Sequence, residues 1–194
     1  MVRRRDVLKA ATAPVVAGVA SALSGPALRA AGDRGSSIAT GKETAMNSQP
    51  LMTVRITAAA PQKLGSVAHG IRSIVPVTGG DFEGPRLRGK VLSGGGDWLL
   101  LRSDGVLELD LRITLETDDN ALVYMRFQGL RHGPPEAIAA LGRGEVVDTA
   151  TYYFRTLPSF ETSAEKYVFL NRIVTVGVGE ARPDGAVHKI DEIL

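Results

Sequence analysis

The stretch Val106–Leu115 alternates apolar and polar side chains more regularly than any other part of the chain. Its apolar members occupy every second position: Leu107, Leu109, Leu111, Ile113 and Leu115. The positions between them hold Glu108, Asp110, Arg112 and Thr114. Because successive side chains of a β-strand point to opposite faces, this period predicts a strand with one aliphatic face and one polar face.

Further short apolar runs, separated by Gly, Pro, Asp and Asn, predict more strands between Leu51 and Leu194. They are Leu51–Ala58, Ser73–Val77, Gly84–Leu92, Trp98–Arg102, Ala121–Leu130, Thr149–Thr156 (followed by a turn at 157–159), Tyr167–Val178 and Ala186–Leu194. Only Glu136–Leu141, with Pro135 near its start and Gly142 after its end, is typical of a helix. This pattern predicts an all-β, mainly antiparallel domain, either a barrel or a sandwich.

Residues 1–31 have the pattern of an export signal. Arg3, Arg4, Arg5 and Lys9 precede Ala10–Leu23, a charge-free run shorter than the roughly 20 residues that a membrane span needs. The order Arg-Arg-Asp-Val-Leu-Lys resembles the twin-arginine pattern, with Val in place of the usual Phe. We therefore expect a twin-arginine-like signal peptide and a periplasmic or secreted protein. An N-terminal amphipathic helix that stays attached is the alternative.

Residues 32–49 are rich in Gly, Ser, Thr and Asn without a hydrophobic period, which predicts a flexible linker before a barrel domain at residues 50–194. The first 30 residues hold five of the 23 Lys and Arg but one of the 21 Asp and Glu, so the remainder carries a net charge of −2. A nearly neutral domain offers no electrostatic reason to bind nucleic acid. The chain has no Cys, which excludes disulfides, thiolate nucleophiles and Cys-ligated metals.

Residues 77–89, with the sequence VTGGDFEGPRLRG, resemble the domain-of-unknown-function family 3237. The resemblance continues in order to the C-terminus through Asp97-Trp98, Arg102–Gly105, Arg131–Pro135, Tyr152–Arg155 and Gly179–Pro183. It implies a single closed or nearly closed β-barrel of the allene-oxide-cyclase or lipocalin type with one short helix. Most bacterial members have no assigned activity, and a fungal member is linked to cofactor-free ring closure by hydroalkoxylation in phenalenone biosynthesis. The resemblance thus implies a barrel able to host acid–base chemistry on a small, largely apolar molecule.

The polar face of the Val106–Leu115 strand has two possible orientations. It can face solvent, as is usual for a half-buried strand, or it can line the lumen while the aliphatic face is covered by a partner. Within a lumen, neighbouring guanidinium groups would keep a carboxylate ionised, and a Tyr hydroxyl could relay a proton or bind an oxyanion. The candidate catalytic residues on this and the following strand are Asp110, Arg112, Tyr124 and Arg126.

Four further side chains are candidate substrate-binding residues: Trp98, His132, Tyr153 and Arg155. His132 is the best general-base candidate among the three histidines, and Tyr153 and Arg155 share a strand face. The structural alternatives are a core anchor for Trp98 and ordinary turn or strand residues for the others. The histidines lack metal-ligand spacing, so we expect no metal.

The sequence therefore predicts an exported β-barrel that binds a small, largely apolar organic molecule in its lumen. If it is an enzyme, we expect cofactor-free acid–base catalysis of the lyase, isomerase or cyclase type. A non-catalytic periplasmic ligand carrier or a structural, oligomer-forming barrel is the alternative. We expect no cofactor, no nucleic-acid partner and no stable membrane anchor, and a homo-oligomer that buries exposed aliphatic side chains.

Overall fold

The computed structural model describes residues 46–194, and most of them lie in β-strands. The strands are β1 (Ser48–Ala58), β2 (Gln62–Val67), β3 (Gly70–Glu83), β4 (Arg88–Val91), β5 (Gly96–Leu101), β6 (Leu107–Thr117), β7 (Leu122–His132), β8 (Tyr153–Glu161), β9 (Val174–Arg182) and β10 (Gly185–Ile193). Helix α1 (Pro135–Gly142) and two 3-10 segments, Thr149–Thr151 and Glu165–Arg172, lie in the connections. The signal peptide and most of the linker predicted for residues 1–49 lie outside the described residues.

The strands close into one antiparallel barrel. Hydrogen bonding runs from β1 through β10, β9, β8, β7 and β6. Both β4 and β5 then bridge β6 and β3, so they share one position, and pairing of β3 with β1 completes a circuit of eight strand positions. Strand β2 pairs with β3 outside this circuit. The prediction of an all-β, closed barrel with one short α-helix is confirmed.

Strand β3 is much longer than the predicted Ser73–Val77 and continues through Gly79 and Gly80. Gly80 has a φ of +139°, and a Cβ added there would lie 2.0 Å from the carbonyl oxygen of Arg55. The glycine therefore lets the backbone of β1 approach closely where β3 closes the barrel.

Two local predictions around β8 are wrong. The predicted turn at 157–159 is part of β8, and Pro158 is tolerated because β8 and β9 pair only at Arg155–Val178 and Thr156–Gly177. The predicted strand Tyr167–Val178 begins instead as the 3-10 segment Glu165–Arg172. Positions three apart in a 3-10 helix share a face, which allows Tyr167 and Leu170 both to enter the core.

The aliphatic face of β6 points into the barrel. Leu109, Leu111, Ile113 and Leu115 are all 7% exposed or less. They join the core with inward side chains of other strands, including Leu51, Val54, Phe82, Val123, Met125 and Phe127. The polar face of β6 is therefore the outer face, which decides between the two orientations that the sequence left open. Among residues 46–194, no helix is long and apolar enough to cross a membrane.

Candidate functional site

A cavity of about 240 Å³ lies at the end of the barrel where β7 ends and β8 begins. Inward apolar side chains form most of its wall, among them Ile56, Val77, Leu99, Leu109, Leu111 and Phe154. The β1–β2 connection and the β9–β10 turn complete the wall through Pro61 and Pro183. Asp97, Arg131 and His188 also line the cavity. A mostly apolar concavity with a few converging polar groups is the usual form of a small-molecule site.

Asp97 is held in place by the backbone of β6. Its Oδ1 atom accepts a hydrogen bond of 3.0 Å from the amide N–H of Asp110. Strands β5 and β6 pair at Asp97 and again at Leu100, but not at the two residues between them. There the carbonyl oxygen of Trp98 accepts a 2.7 Å hydrogen bond from Nη1 of Arg72. The Asp97 side chain thus replaces a ladder bond, and within residues 46–194 no hydrogen bond forms to its Oδ2 atom.

The Asp97 carboxyl group is buried, and burial raises its pKa to about 7. The Asp110 amide and the positive charge of Arg131 act in the opposite direction and lower the pKa, but burial dominates. Both protonation states are therefore populated near neutral pH. This is the condition under which a carboxyl group can accept a proton and also return it.

Arg131 extends the inward face of β7 beyond Met125 and Phe127. Its guanidinium carbon lies 5.7 Å from the centre of the Phe154 ring. Burial lowers its pKa, while Tyr152 and Asp97 raise it, and an arginine remains charged under these conditions. Within the described part of the chain, Arg131 forms no ion pair, so its charge is available to a ligand.

His188 lies between two aromatic rings at the inner wall of the cavity. Its ring centre is 4.7 Å from that of Phe127 and 5.2 Å from that of Phe154. Burial lowers the pKa of His188 to about 4, so the imidazole is neutral at pH 7. Its Nδ1 atom is buried and has no hydrogen-bond partner among residues 46–194. A buried polar atom without a partner is uncommon and can serve a ligand.

The four candidate catalytic residues lie on the outer face of β6 and β7. The Asp110 carboxylate pairs with Arg112 at 2.8 Å and with Arg126 at 3.4 Å, and all three side chains are partly exposed. Tyr124 lies on the same outer face of β7. The structure thus brings these residues together as a surface network, and none of them lines the cavity.

The four candidate substrate-binding residues also lie outside the cavity. His132 stacks on Tyr153 with ring centres 4.9 Å apart, and the Arg155 guanidinium lies 5.1 Å from the centre of the same ring. Trp98 is half-buried and lies 5.3 Å from the Arg112 guanidinium. Neither the stack nor the indole ring faces the lumen.

Strand periodicity contained a signal for the residues that do line the cavity. Arg131 lies at an odd position of β7, as do the buried Met125 and Phe127. His188 lies two positions before the buried Ile190. Asp97 directly follows three glycines, a composition typical of a turn rather than of a strand. Within residues 46–194, no three His, Asp or Glu side chains are grouped so that they could hold a metal ion.

The fold and the cavity define a small closed β-barrel with an ionisable site in its lumen. The chain belongs to the family described as "Protein of unknown function (DUF3237)", whose model matches residues 46–193. A UPF0311 protein of Rhodopseudomonas palustris is 38% identical over 130 residues, which cover 67% of this chain and 85% of the relative. A UPF0311 protein of Clostridium acetobutylicum is 36% identical over 149 residues, which cover 76% and 94%.

Solved structures share the fold. A conserved protein of unknown function from Rhodopseudomonas palustris matches with a TM-score of 0.75 and 33% identity, over 77% of this chain and 99% of the other. A β-barrel-like protein from Acinetobacter baumannii matches with a TM-score of 0.68 and 37% identity, over 77% and 97%. An enzyme from Penicillium herquei matches with a TM-score of 0.60 and 19% identity, over 79% and 98%, which shows likeness of fold alone.

Proposed function

We propose that the barrel binds a small, largely apolar organic molecule in the cavity lined by Asp97, Arg131 and His188, and that it moves protons to and from this molecule without a cofactor. The observation that carries the proposal is the Asp97 carboxyl group, buried in an apolar wall with a pKa of about 7. Titratable groups whose pKa is shifted by burial within a cavity are concentrated at functional sites.

Each ionisable residue has a separate role in this proposal. The Asp97 carboxylate takes a proton from a carbon next to a ligand carbonyl group, and the Arg131 guanidinium stabilises the negative charge that develops on the carbonyl oxygen. Asp97 then returns the proton to a different atom, so the reaction is an isomerisation, elimination or ring closure with no net gain of protons. The neutral His188 offers a hydrogen bond at the inner wall.

A deuterium-exchange experiment tests this function. Cyclic ketones and phenols are first screened for thermal stabilisation of the protein, and a stabilising ketone is then incubated with it in heavy water. We expect exchange at the carbon next to the carbonyl group, and we expect Asp97→Asn to bind the ketone but to lose exchange. Binding by the wild type without exchange favours the ligand-carrier alternative. Failure of every compound to stabilise the protein would overturn the proposal.

A second proposal concerns self-association of the barrel. Adjacent outer positions of β8 and β9 expose Leu157 (65%), Val174 (68%), Val176 (39%) and Val178 (45%). Glu108 and Arg155 line a groove together with Leu157, Val176 and Val178, so a two-fold contact can place the carboxylate of one copy against the guanidinium of another. We therefore propose a second copy of this chain as the occupant of this surface.

Sedimentation equilibrium distinguishes this surface from other exposed apolar positions. We expect the wild type to associate and Val176→Lys to be monomeric. Leu64→Lys is the matched control, because Leu64 is 56% exposed on β2, outside the barrel circuit, and its replacement leaves the proposed contact intact. A monomeric wild type, or equal effects of the two variants, would contradict the proposal.

We also propose that the protein is exported by the twin-arginine route, which rests on the sequence of residues 1–31 alone. Cell fractionation tests it. We expect the double variant Arg4→Lys, Arg5→Lys to remain in the cytoplasm, while Arg3→Lys is exported like the wild type. Export of the double variant would contradict this route.

A further inference from the structure

The strongest unexplained feature of the cavity is the unpaired charge of Arg131. Arg131 is half-buried, and charges withdrawn from water are normally paired, because an unpaired charge loses hydration without compensation. Asp97 lines the same cavity, and its negative charge raises the pKa of Arg131. The two side chains nevertheless form no ion pair within the described residues. Because both side chains line the same cavity, we infer that a third group bound there can contact both.

We propose that this third group is a single carboxylate at one end of the ligand, and that the ligand binds together with one proton. The proposal uses the same cavity as the proposed function and goes beyond it, because a bound carboxylate would occupy Arg131, hold Asp97 protonated and thereby exclude a ketone substrate. It concerns recognition and makes no use of a catalytic step.

A carboxylate fits the donors that the cavity presents. The planar guanidinium of Arg131 can donate two parallel hydrogen bonds to the two oxygens of one carboxylate. A phosphate would bring up to two negative charges toward one half-buried cation. Arg182 at the cavity wall adds no free cation, because it is paired with Glu180 at 2.6 Å. The charge balance therefore favours a monoanion.

The position of Asp97 explains why one proton is taken up when the ligand binds. Its Oδ1 atom is occupied by the Asp110 amide, so a ligand carboxylate beside Arg131 meets the open Oδ2 atom. Two carboxylates at one site cannot both remain ionised, because each raises the pKa of the other. Asp97 therefore takes up a proton and donates it in a hydrogen bond to the ligand.

The other ionisable groups near Asp97 supply no further positive charge that could compensate the two carboxylates in place of this proton. On β6, the Asp110 carboxylate adds negative charge but lies on the outer face, where it pairs with Arg112 and Arg126. Asp184, in the β9–β10 turn, lines the cavity and adds a further negative charge. On β10, His188 is neutral at pH 7 because it is buried between aromatic rings. Arg131 is left as the cation that faces Asp97 in the cavity.

The size of the cavity selects the probe. An apolar cavity of about 150 Å³ holds benzene, so a cavity of about 240 Å³ accommodates a six-membered ring with one carboxylate. Cyclohexanecarboxylate is the probe, and cyclohexylmethanol is its neutral counterpart of nearly equal size. The pair separates binding of the apolar body from binding of the charge.

Isothermal titration calorimetry of the full chain in buffers of different ionisation enthalpy counts the protons that are taken up on binding. At pH 8 we expect cyclohexanecarboxylate to bind with uptake of about one proton, and its affinity to fall about tenfold per pH unit above pH 7. Cyclohexylmethanol is expected to bind without proton uptake. Asp97→Asn keeps carboxylate binding but loses proton uptake, because an amide can donate the hydrogen bond at every pH.

Variants of Arg131 test the charge. Arg131→Gln is expected to weaken cyclohexanecarboxylate binding at least tenfold while cyclohexylmethanol still binds, which also shows that the cavity is intact. Arg131→Lys keeps the charge without the planar pair of donors, and we expect its affinity for cyclohexanecarboxylate to lie between those of the wild type and Arg131→Gln. Arg88→Gln and Asp118→Asn are the matched controls, since these side chains pair with each other at 3.2 Å outside the cavity.

The outcomes separate this inference from the proposed function. Carboxylate binding without proton uptake, or with unchanged affinity in Arg131→Gln, would overturn the inference. Binding of the alcohol or of a neutral ketone without binding of the carboxylate would also overturn it while the proposed function stands. Failure of both probes and of every ketone and phenol would overturn the proposed function itself.

Discussion

The amide N–H of Asp110 donates a 3.0 Å hydrogen bond to the Asp97 carboxylate, although the two side chains lie on opposite sides of the barrel wall. The backbone of Asp110 therefore orients a residue of the cavity, while its side chain joins an outer network with Arg112 and Arg126. Asp97 thus combines two functions: it completes the pairing of β5 with β6, and it places an ionisable group in an apolar lumen.

The first prediction separates these two functions of Asp97. Both Asp97→Asn and Asp97→Ala remove the charge, but only asparagine keeps an oxygen that can accept the Asp110 amide hydrogen bond. We expect Asp97→Ala to be less stable than Asp97→Asn by about 1–3 kcal/mol, because the amide loses its partner and the methyl group leaves a void. Urea unfolding at pH 8 measures the difference, and equal stability of the two variants would contradict the role of the hydrogen bond.

The second prediction concerns the dependence of stability on pH. Burial raises the pKa of Asp97 from 3.8 to about 7, so its contribution is full below pH 4 and is lost as pH rises toward 7. Burial lowers the pKa of His188 from 6.5 to about 4, so its contribution is full above pH 6.5 and is lost as pH falls toward 4. Between these limits the two contributions oppose each other.

Single variants should therefore show a pH dependence of the free energy of unfolding that largely cancels in the wild type. From pH 4.5 to 6.5 we expect the free energy of unfolding of Asp97→Asn to rise with pH, and that of His188→Leu to fall, by up to about 1.4 kcal/mol per pH unit. The wild type should show a smaller slope than either variant. Urea unfolding at three pH values measures these slopes. If the free energy of unfolding changes with pH in the same way in all three proteins, the contributions of Asp97 and His188 do not oppose each other.

The sequence predicted the barrel where alternation was regular and failed where burial at the ends of the barrel decided the structure. The alternation in Val106–Leu115 identified strand β6 and its two faces. Residues 167–170 have apolar side chains compatible with a strand, but the burial of Tyr167 and Leu170 in the core goes with a 3-10 segment instead. Such long-range packing overrides local propensity and is not encoded in the local pattern.

The candidate site was harder to predict because polar residues of a barrel can lie either on its outer face or in its lumen. Alternation shows that Asp110 and Leu109 face opposite ways, but it does not show which face is inside. The ionisable residues of the lumen are single interruptions of otherwise apolar faces, as His188 is beside Ile190. A polar residue in phase with an apolar face is therefore a better indicator of a lumen site than a wholly polar face.

The third prediction concerns the packing of Phe154 against β9. A Cβ added at Gly179 would lie 2.6 Å from the Phe154 ring, so Gly179→Ala must displace this ring of the cavity wall. We expect a loss of about 1–3 kcal/mol of stability and weaker ligand binding. Gly142→Ala is the control, because nothing lies within 4 Å of its added Cβ at the end of α1. Crystal structures and urea unfolding of both variants check this, and an unmoved Phe154 ring in Gly179→Ala would contradict it.

The fourth prediction concerns the junction between β8 and β9, which has backbone pairing only at Arg155–Val178 and Thr156–Gly177. Beyond these pairs, the Tyr152 hydroxyl accepts a buried 3.0 Å hydrogen bond from the Ala181 amide. Tyr152→Phe leaves this amide without a partner, and we expect a loss of about 1–3 kcal/mol together with faster hydrogen exchange at Ala181. Tyr153→Phe removes a hydroxyl from the outer face and should change stability by less than about 0.5 kcal/mol. If the two variants unfold at the same urea concentration, side-chain hydrogen bonding does not hold this junction together.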